Sequence, residues 1–234
     1  MLANYFDQFT IVNIIPGFTN SSLMLFVAII FILIMFKVDN LIPTRYQILI
    51  EILYDHWVNL IKDSLGIKGL KYFPLIFSMF MLIMVLNVLG LFPYVFTVGT
   101  HIIVTFGISL SVLMAVTILG IKNFKLDFFS MLMPQGAPMS LAPLLVLIET
   151  ASYLSRALSL GIRLAANLSA GHLLFAILAS FSYKMLINNM VFLSLFPLAI
   201  MIFITVLEIA VAMIQAYVFC LLTVIYLEDT LKSH

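Results

Sequence analysis

Glu149, Arg156, Arg163, Asn167 and His172 all fall inside one apolar run, residues 143–182. A second such run, residues 189–227, carries Glu208 and Gln215. Carboxylates and an imidazole can take up and release protons, whereas a guanidinium keeps its proton and acts as a fixed positive charge. A charge at mid-bilayer costs on the order of 2.5–3.5 kcal/mol or more, so charges held at that depth mark an ion or substrate path. At 100° per residue, Glu149, Arg156 and Arg163, each seven apart, share one helical stripe. Ser152, Ser155 and Ser159 lie on or beside that stripe, and Asn167 continues it one turn past Arg163. His172, nine residues beyond Arg163, points to the opposite side. Glu208 and Gln215, seven apart, share one face of the second run. This spacing predicts proton chemistry arranged around the fixed charge of Arg163.

The elements that must hold these residues are membrane helices. The chain has 234 residues, 64% hydrophobic and only 9% charged, and its mean hydropathy of +1.23 excludes a soluble domain. A net charge of +1 offers nothing to nucleic acid. The single cysteine, Cys220, makes no disulfide framework. The N-terminus has neither the cationic region of a secretory signal nor an Arg-rich transit segment. There is no Gly-rich phosphate loop, and no cofactor or metal site is expected.

The expected fold is all-α: a single membrane domain, 1–234, of about five embedded helices plus one amphipathic surface helix. Pro16-Gly17 breaks the N-terminal stretch, and residues 21–38 form a first span of minimal length. Over residues 44–66 Gln47, Glu51, Asp55 and Asn59 recur every four residues opposite an apolar face, which predicts a helix lying on the membrane or capping a partner, with Trp57 at interfacial depth. Residues 72–120 give a two-helix hairpin, turned at Pro93, that carries Asn87 and His101. A loop over residues 121–140 contains Lys122, Lys125, Asp127 and the breaker run 134–138.

Residues 141–227 then form a long antiparallel hairpin with its connector at 183–189. Forty helical residues run about 60 Å, roughly twice the hydrocarbon thickness, so these helices are expected to be strongly tilted. With that connector, a meeting of His172 and Glu208 requires an offset or a bend, and Pro197 offers one. Eight of the eleven basic residues fall on one side of five spans, only Lys184 falls on the other, and Arg156 and Arg163 are embedded. Basic residues stay inside, so the C-terminus is expected on the inner face and the N-terminus on the outer.

Two runs carry a family resemblance. SLGIRLAANLSAGHLL, residues 159–174, resembles the signature of subunit a of the F-type ATP synthase, and LEIAVAMIQAYVF, residues 207–219, resembles that subunit's last helix. The opening YFDQF and the run PLLVLIET agree, and the similarity extends over nearly the whole chain. Gly-His-Leu with a glutamate at 208 is similar to the mitochondrial form; bacterial members typically exchange the acidic and histidine positions. The resemblance implies a proton-translocating stator subunit of the Fo sector, in the mitochondrial inner membrane, that provides two offset half-channels to the c-ring carboxylates. It implies that Arg163 is the essential charge facing the ring, with Asn167 and Gln215 near it, that His172 and Glu208 line the intermembrane-space half-channel, and that Glu149 stands on the matrix-side exit. Implied partners are the c-ring, the peripheral stalk and other Fo membrane subunits, lipid, and protons as the transported ion; nucleotide and nucleic acid are not implied.

Other readings of the same residues stay open. Arg156 can pair with Glu149 or with a lipid phosphate, and Arg163 with Glu208. His101 lines the outer aqueous path or, like Asn87, is a hydrogen-bonded packing residue. Ser155 can satisfy a carbonyl of its own helix. A secondary transporter is the alternative function, but such folds show internal repeats, and here no repeat is visible and the embedded charges are confined to the C-terminal half. A purely structural scaffold has no use for Glu149, His172 and Glu208 at depth.

Overall fold

The structure is a computed structural model that describes residues 9–36, 44–92, 95–124 and 142–231. The expected break at 39–43, the turn at Pro93, most of the 121–140 loop and nearly all of the YFDQF opening lie outside the described residues.

Two short strands, β1 (Asn13–Ile15) and β2 (Phe18–Thr19), pair antiparallel around Pro16-Gly17. Gly17 has φ +88°, a left-handed conformation that suits glycine and closes the turn. The break expected at Pro16-Gly17 is thus the tip of a small hairpin. Thr19 then caps α1 (Asn20–Met35) through a capping box with Ser22: the Ser22 N–H donates to Thr19 Oγ1 at 3.4 Å, and the Thr19 N–H donates to Ser22 Oγ at 3.0 Å.

The amphipathic segment forms α2 (Arg45–Leu65), which ends at Gly66 with φ +70°. A 3₁₀ turn, Ile67–Tyr72, leads into α3 (Phe73–Gly90), and a second, Val98–Thr100, precedes α4 (Ile102–Phe124). The two longest helices follow, α5 (Ala142–Ile187) of 46 residues and α6 (Val191–Leu231) of 41. Pro197, in the second turn of α6, removes one ladder hydrogen bond and the helix continues past it.

Among the described residues, α3, α4, α5 and α6 are long and apolar enough to cross a membrane, whereas α1 is apolar but only 16 residues long. At 1.5 Å per residue α1 covers about 24 Å, less than a typical ~30 Å hydrocarbon core.

The link between α5 and α6 is shorter than the sequence suggested. Residues 183–187, placed in a connector by the sequence reading, belong to α5, whose last turn contains Lys184. The turn closes in a Schellman pattern: Asn189 N–H donates to the Leu186 carbonyl and Met190 N–H to the Met185 carbonyl, both at 3.1 Å. Asn189 takes φ +57°, which asparagine tolerates better than most residues.

The chain divides into two compact units. The first contains α1, α3 from Met81, the chain up to Val104, and the α5–α6 hairpin from Arg163 to Tyr217. Its core joins Ala28 of α1 to Val85 and Leu86 of α3 and to Val98. The second contains α2, α3 up to Phe80, α4 from Thr105, α5 up to Ile162 and α6 from Val218. In it Trp57 is fully buried, 5.1 Å from the Phe80 ring, while Tyr54 meets Phe73 edge-on at 4.7 Å. Trp57 therefore fastens α2 to α3. Farther toward the N-terminus of α2, Ile48, Leu49 and Ile52 are exposed, an apolar strip that the described chain leaves uncovered.

Candidate functional site

Within the first unit, the α5–α6 hairpin and the end of α3 enclose a cavity of about 20 Å³. That is room for a water molecule. Four polar side chains line it: Asn167 on α5, Glu208 and Gln215 on α6, and Asn87 on α3. The rest of the lining is Leu91, Leu164, Leu168, Val211 and Ala212. The common face of Glu208 and Gln215 follows from the helical period; their convergence with Asn167 is a product of the hairpin.

Asn87, expected from the sequence to be a hydrogen-bonded packing residue, also lines the cavity. It is almost fully buried, and its Nδ2 donates to the Ala212 carbonyl at 3.2 Å. Ala212 is one turn beyond Glu208, so this bond ties α3 to the segment of α6 that carries the acid. The available signal was a lone amide in an otherwise apolar span.

The Glu208 carboxylate rests against the backbone of Gly171, where a Cβ on residue 171 would overlap it. His172 is the next residue along α5. Among the described residues, His172 Nε2, Glu208 Oε1 and Gln215 Nε2 are buried atoms without a protein hydrogen-bond partner. Such atoms are costly in an apolar interior, and their capacity is available to water or to a proton in transit. The ring of Phe9 meets the His172 ring edge-on at 6.5 Å.

Arg163 lies on the exposed side of α5, whereas Leu164, Ala165 and Leu168 are buried. Glu208 rests at Gly171, about 12 Å along α5 from Arg163 at 1.5 Å per residue, so the helical geometry does not favour an Arg163–Glu208 pair. His101 is elsewhere in this unit, stacked on Phe96 at 5.2 Å, and is not in the cavity lining.

The remaining candidates belong to the second unit. Arg156 pairs with Asp229 of α6, Nη1 to Oδ2 at 3.8 Å, and its guanidinium lies 5.9 Å from the centre of the Tyr226 ring. Its partner among the described residues is thus Asp229, from another helix, rather than Glu149 on its own stripe. Glu149 is half-buried on α5. Ser155 Oγ donates to the Ser152 carbonyl at 2.8 Å, the local bond open to a helical serine.

An apolar helical bundle with a polar cavity beside an outward-facing arginine agrees with the resemblance carried by residues 159–174 and 207–219. The model of the family described as "ATP synthase A chain" matches residues 19–228. The chain belongs to the ATP synthase A chain family. It is 58% identical to the ATP synthase subunit a of Metridium senile over the full length of both chains. It is 40% identical to that of Chondrus crispus, covering 97% of this chain and 96% of the relative. To the subunit a of a bacterium, Ehrlichia ruminantium (strain Welgevonden), it is 42% identical over all of both. Family membership and four long apolar helices make this A chain an all-α, multi-pass membrane protein.

Proposed function

We propose that this chain is the proton-translocating stator subunit of the Fo sector of an ATP synthase, and that it offers two offset half-channels to the c-ring carboxylates. Membership of the ATP synthase A chain family supports the assignment. The observation that carries the path is the cavity in which Asn87, Asn167, Glu208 and Gln215 converge in an otherwise apolar bundle.

A proton enters from the outer side by way of His172 and Glu208 and reaches a c-ring carboxylate. The protonated carboxyl can travel through lipid, because burial favours the neutral form. After almost a full turn of the ring it releases its proton to the inner side near Glu149. Arg163 faces the ring, attracts the ionised carboxylate and keeps the half-channels separate; its exposed position on α5 supports that role. Asn167 and Gln215 orient water and the carboxylate beside it. His101 is a reserve member of the outer path. Arg156 and Ser155 are structural, given the pairing of Arg156 with Asp229 and the local bond of Ser155. Each proton crossing supplies about 2.3 kcal/mol per 100 mV, which turns the ring and drives ATP synthesis at other subunits.

The working location is the mitochondrial inner membrane, with the N-terminus in the intermembrane space and the C-terminus in the matrix. The partners are the c-ring, the peripheral stalk and other Fo membrane subunits. Helices α5 and α6, well over twenty residues long, lie strongly tilted along the ring.

The test is ATP-driven proton pumping in membrane vesicles with Arg163→Ala, with passive leak recorded in parallel. Loss of pumping in an assembled complex, together with increased leak, is expected. Normal coupled pumping overturns the proposal.

A further inference from the structure

The second unit contains another cavity, unrelated to the proton path proposed above. It is a groove of about 160 Å³ bounded by α3, α4 and the end of α6. Leu75, Ile76, Met79, Val112, Val116 and Leu227 form most of its wall. The two hydroxyls on the lining are satisfied by their own helices: Ser111 Oγ donates to the Ile108 carbonyl and Thr223 Oγ1 to the Cys220 carbonyl, both at 2.7 Å. An apolar cavity of this size stays dry and takes an apolar occupant.

The two ends of the groove differ. One is marked by Tyr72 at the start of α3 and Leu119 near the end of α4. There Lys71 Nζ stands 4.8 Å from the centre of the Tyr72 ring. Lys122, exposed in the last turn of α4, lies one turn beyond Leu119. The other end is marked by Met79 and Ser111, seven to eight residues along each helix and so about 10 Å deeper at 1.5 Å per residue. The groove is therefore apolar along its length and basic at one mouth, the shape of an amphiphile with an anionic head. Of the acids near the end of α6, Asp229 is paired with Arg156.

We propose that this groove binds an anionic phospholipid, with one acyl chain between α3, α4 and α6 and the phosphate at Lys71 and Lys122. Basic pockets between membrane helices attract anionic headgroups, and the apolar wall selects the tail.

The experiment uses the intact complex in nanodiscs of unlabelled phosphatidylcholine. The probes are phosphatidylglycerol and phosphatidylcholine, each carrying a photoactivatable diazirine in one acyl chain. The phosphatidylglycerol probe is expected to label peptides containing Met79 or Val112 at least threefold more than the phosphatidylcholine probe. Lys71→Gln with Lys122→Gln should abolish that preference, and the arginine pair should retain it. High salt should weaken it in the unaltered complex, a readout that does not depend on any variant assembling. Equal labelling by both probes, or a preference indifferent to salt and to the lysines, overturns the proposal in favour of simple tail partition. Cross-linking of the groove to another subunit without lipid labelling overturns it in favour of a protein occupant. Neither result bears on the Arg163 experiment, which reads pumping.

Discussion

The carboxylate of Glu208 lies against α5 at Gly171, in the space a side chain there would need. Gly171 precedes His172, so one missing Cβ lets the acid of α6 close on the turn of α5 that carries the histidine. The glycine is a seat for the carboxylate, and its value lies in close approach rather than in backbone conformation.

Gly171→Ala should therefore displace Glu208 while leaving the hairpin intact. ATP-driven pumping is expected to fall several-fold or more, with normal amounts of assembled complex. Glu208→Asp added to Gly171→Ala should recover part of the loss, because the shorter acid makes room for the methyl. Wild-type pumping by Gly171→Ala would show that the position of Glu208 is not critical.

Asn87→Leu removes the bond to the Ala212 carbonyl. Hydrogen bonds between membrane helices average about 0.6 kcal/mol and reach about 1.7. A small drop in the thermal stability of the complex is expected, together with a larger loss of pumping, since the cavity also loses a polar wall. Reduced stability with full pumping would leave Asn87 with a packing role alone.

Gly161→Val should impair assembly. A Cβ at residue 161 would come within 2.9 Å of the Phe106 Cα and 2.7 Å of Ser109 Oγ, both on α4. Overpacking of this kind costs about 1–3 kcal/mol, occasionally more, and backbone cannot move aside as a flexible side chain can. Native gels should show depleted complex for valine and a milder defect for alanine. Full assembly with valine would mean that α4 and α5 separate easily.

Arg156→Gln should matter little. Its pair with Asp229 is substantially exposed, with side-chain accessibilities of 41% and 59%, and such pairs contribute about 0–1 kcal/mol. Pumping and thermal stability near wild type are expected. A loss of pumping comparable to that of Arg163→Ala would place Arg156 in the proton path.

Helical periodicity is local, and what rests on it was legible in the sequence. The all-α membrane class followed from composition. The extent of α2 followed from its four-residue polar repeat, and the common face of Glu208 and Gln215 from their spacing. The motif 159–174 was enough to suggest the family before any geometry was known.

Tertiary structure decided what depends on where helices end and what stands opposite them. With the α5–α6 link at residues 188–190, Gly171 lies 18 residues before Asn189 and Glu208 lies 19 after it. The two arms match in register without the offset that a 183–189 connector demands. Propensity alone does not locate that boundary, because Tyr183 and Lys184 suit a helix or a loop and only the left-handed Asn189 closes the turn. The partner of Arg156 was equally hidden: periodicity offered Glu149 on the same stripe, and the fold supplied Asp229 from another helix. Asn87 joined the cavity for the same reason, because a side chain far along the chain is placed by packing rather than by its sequence neighbours.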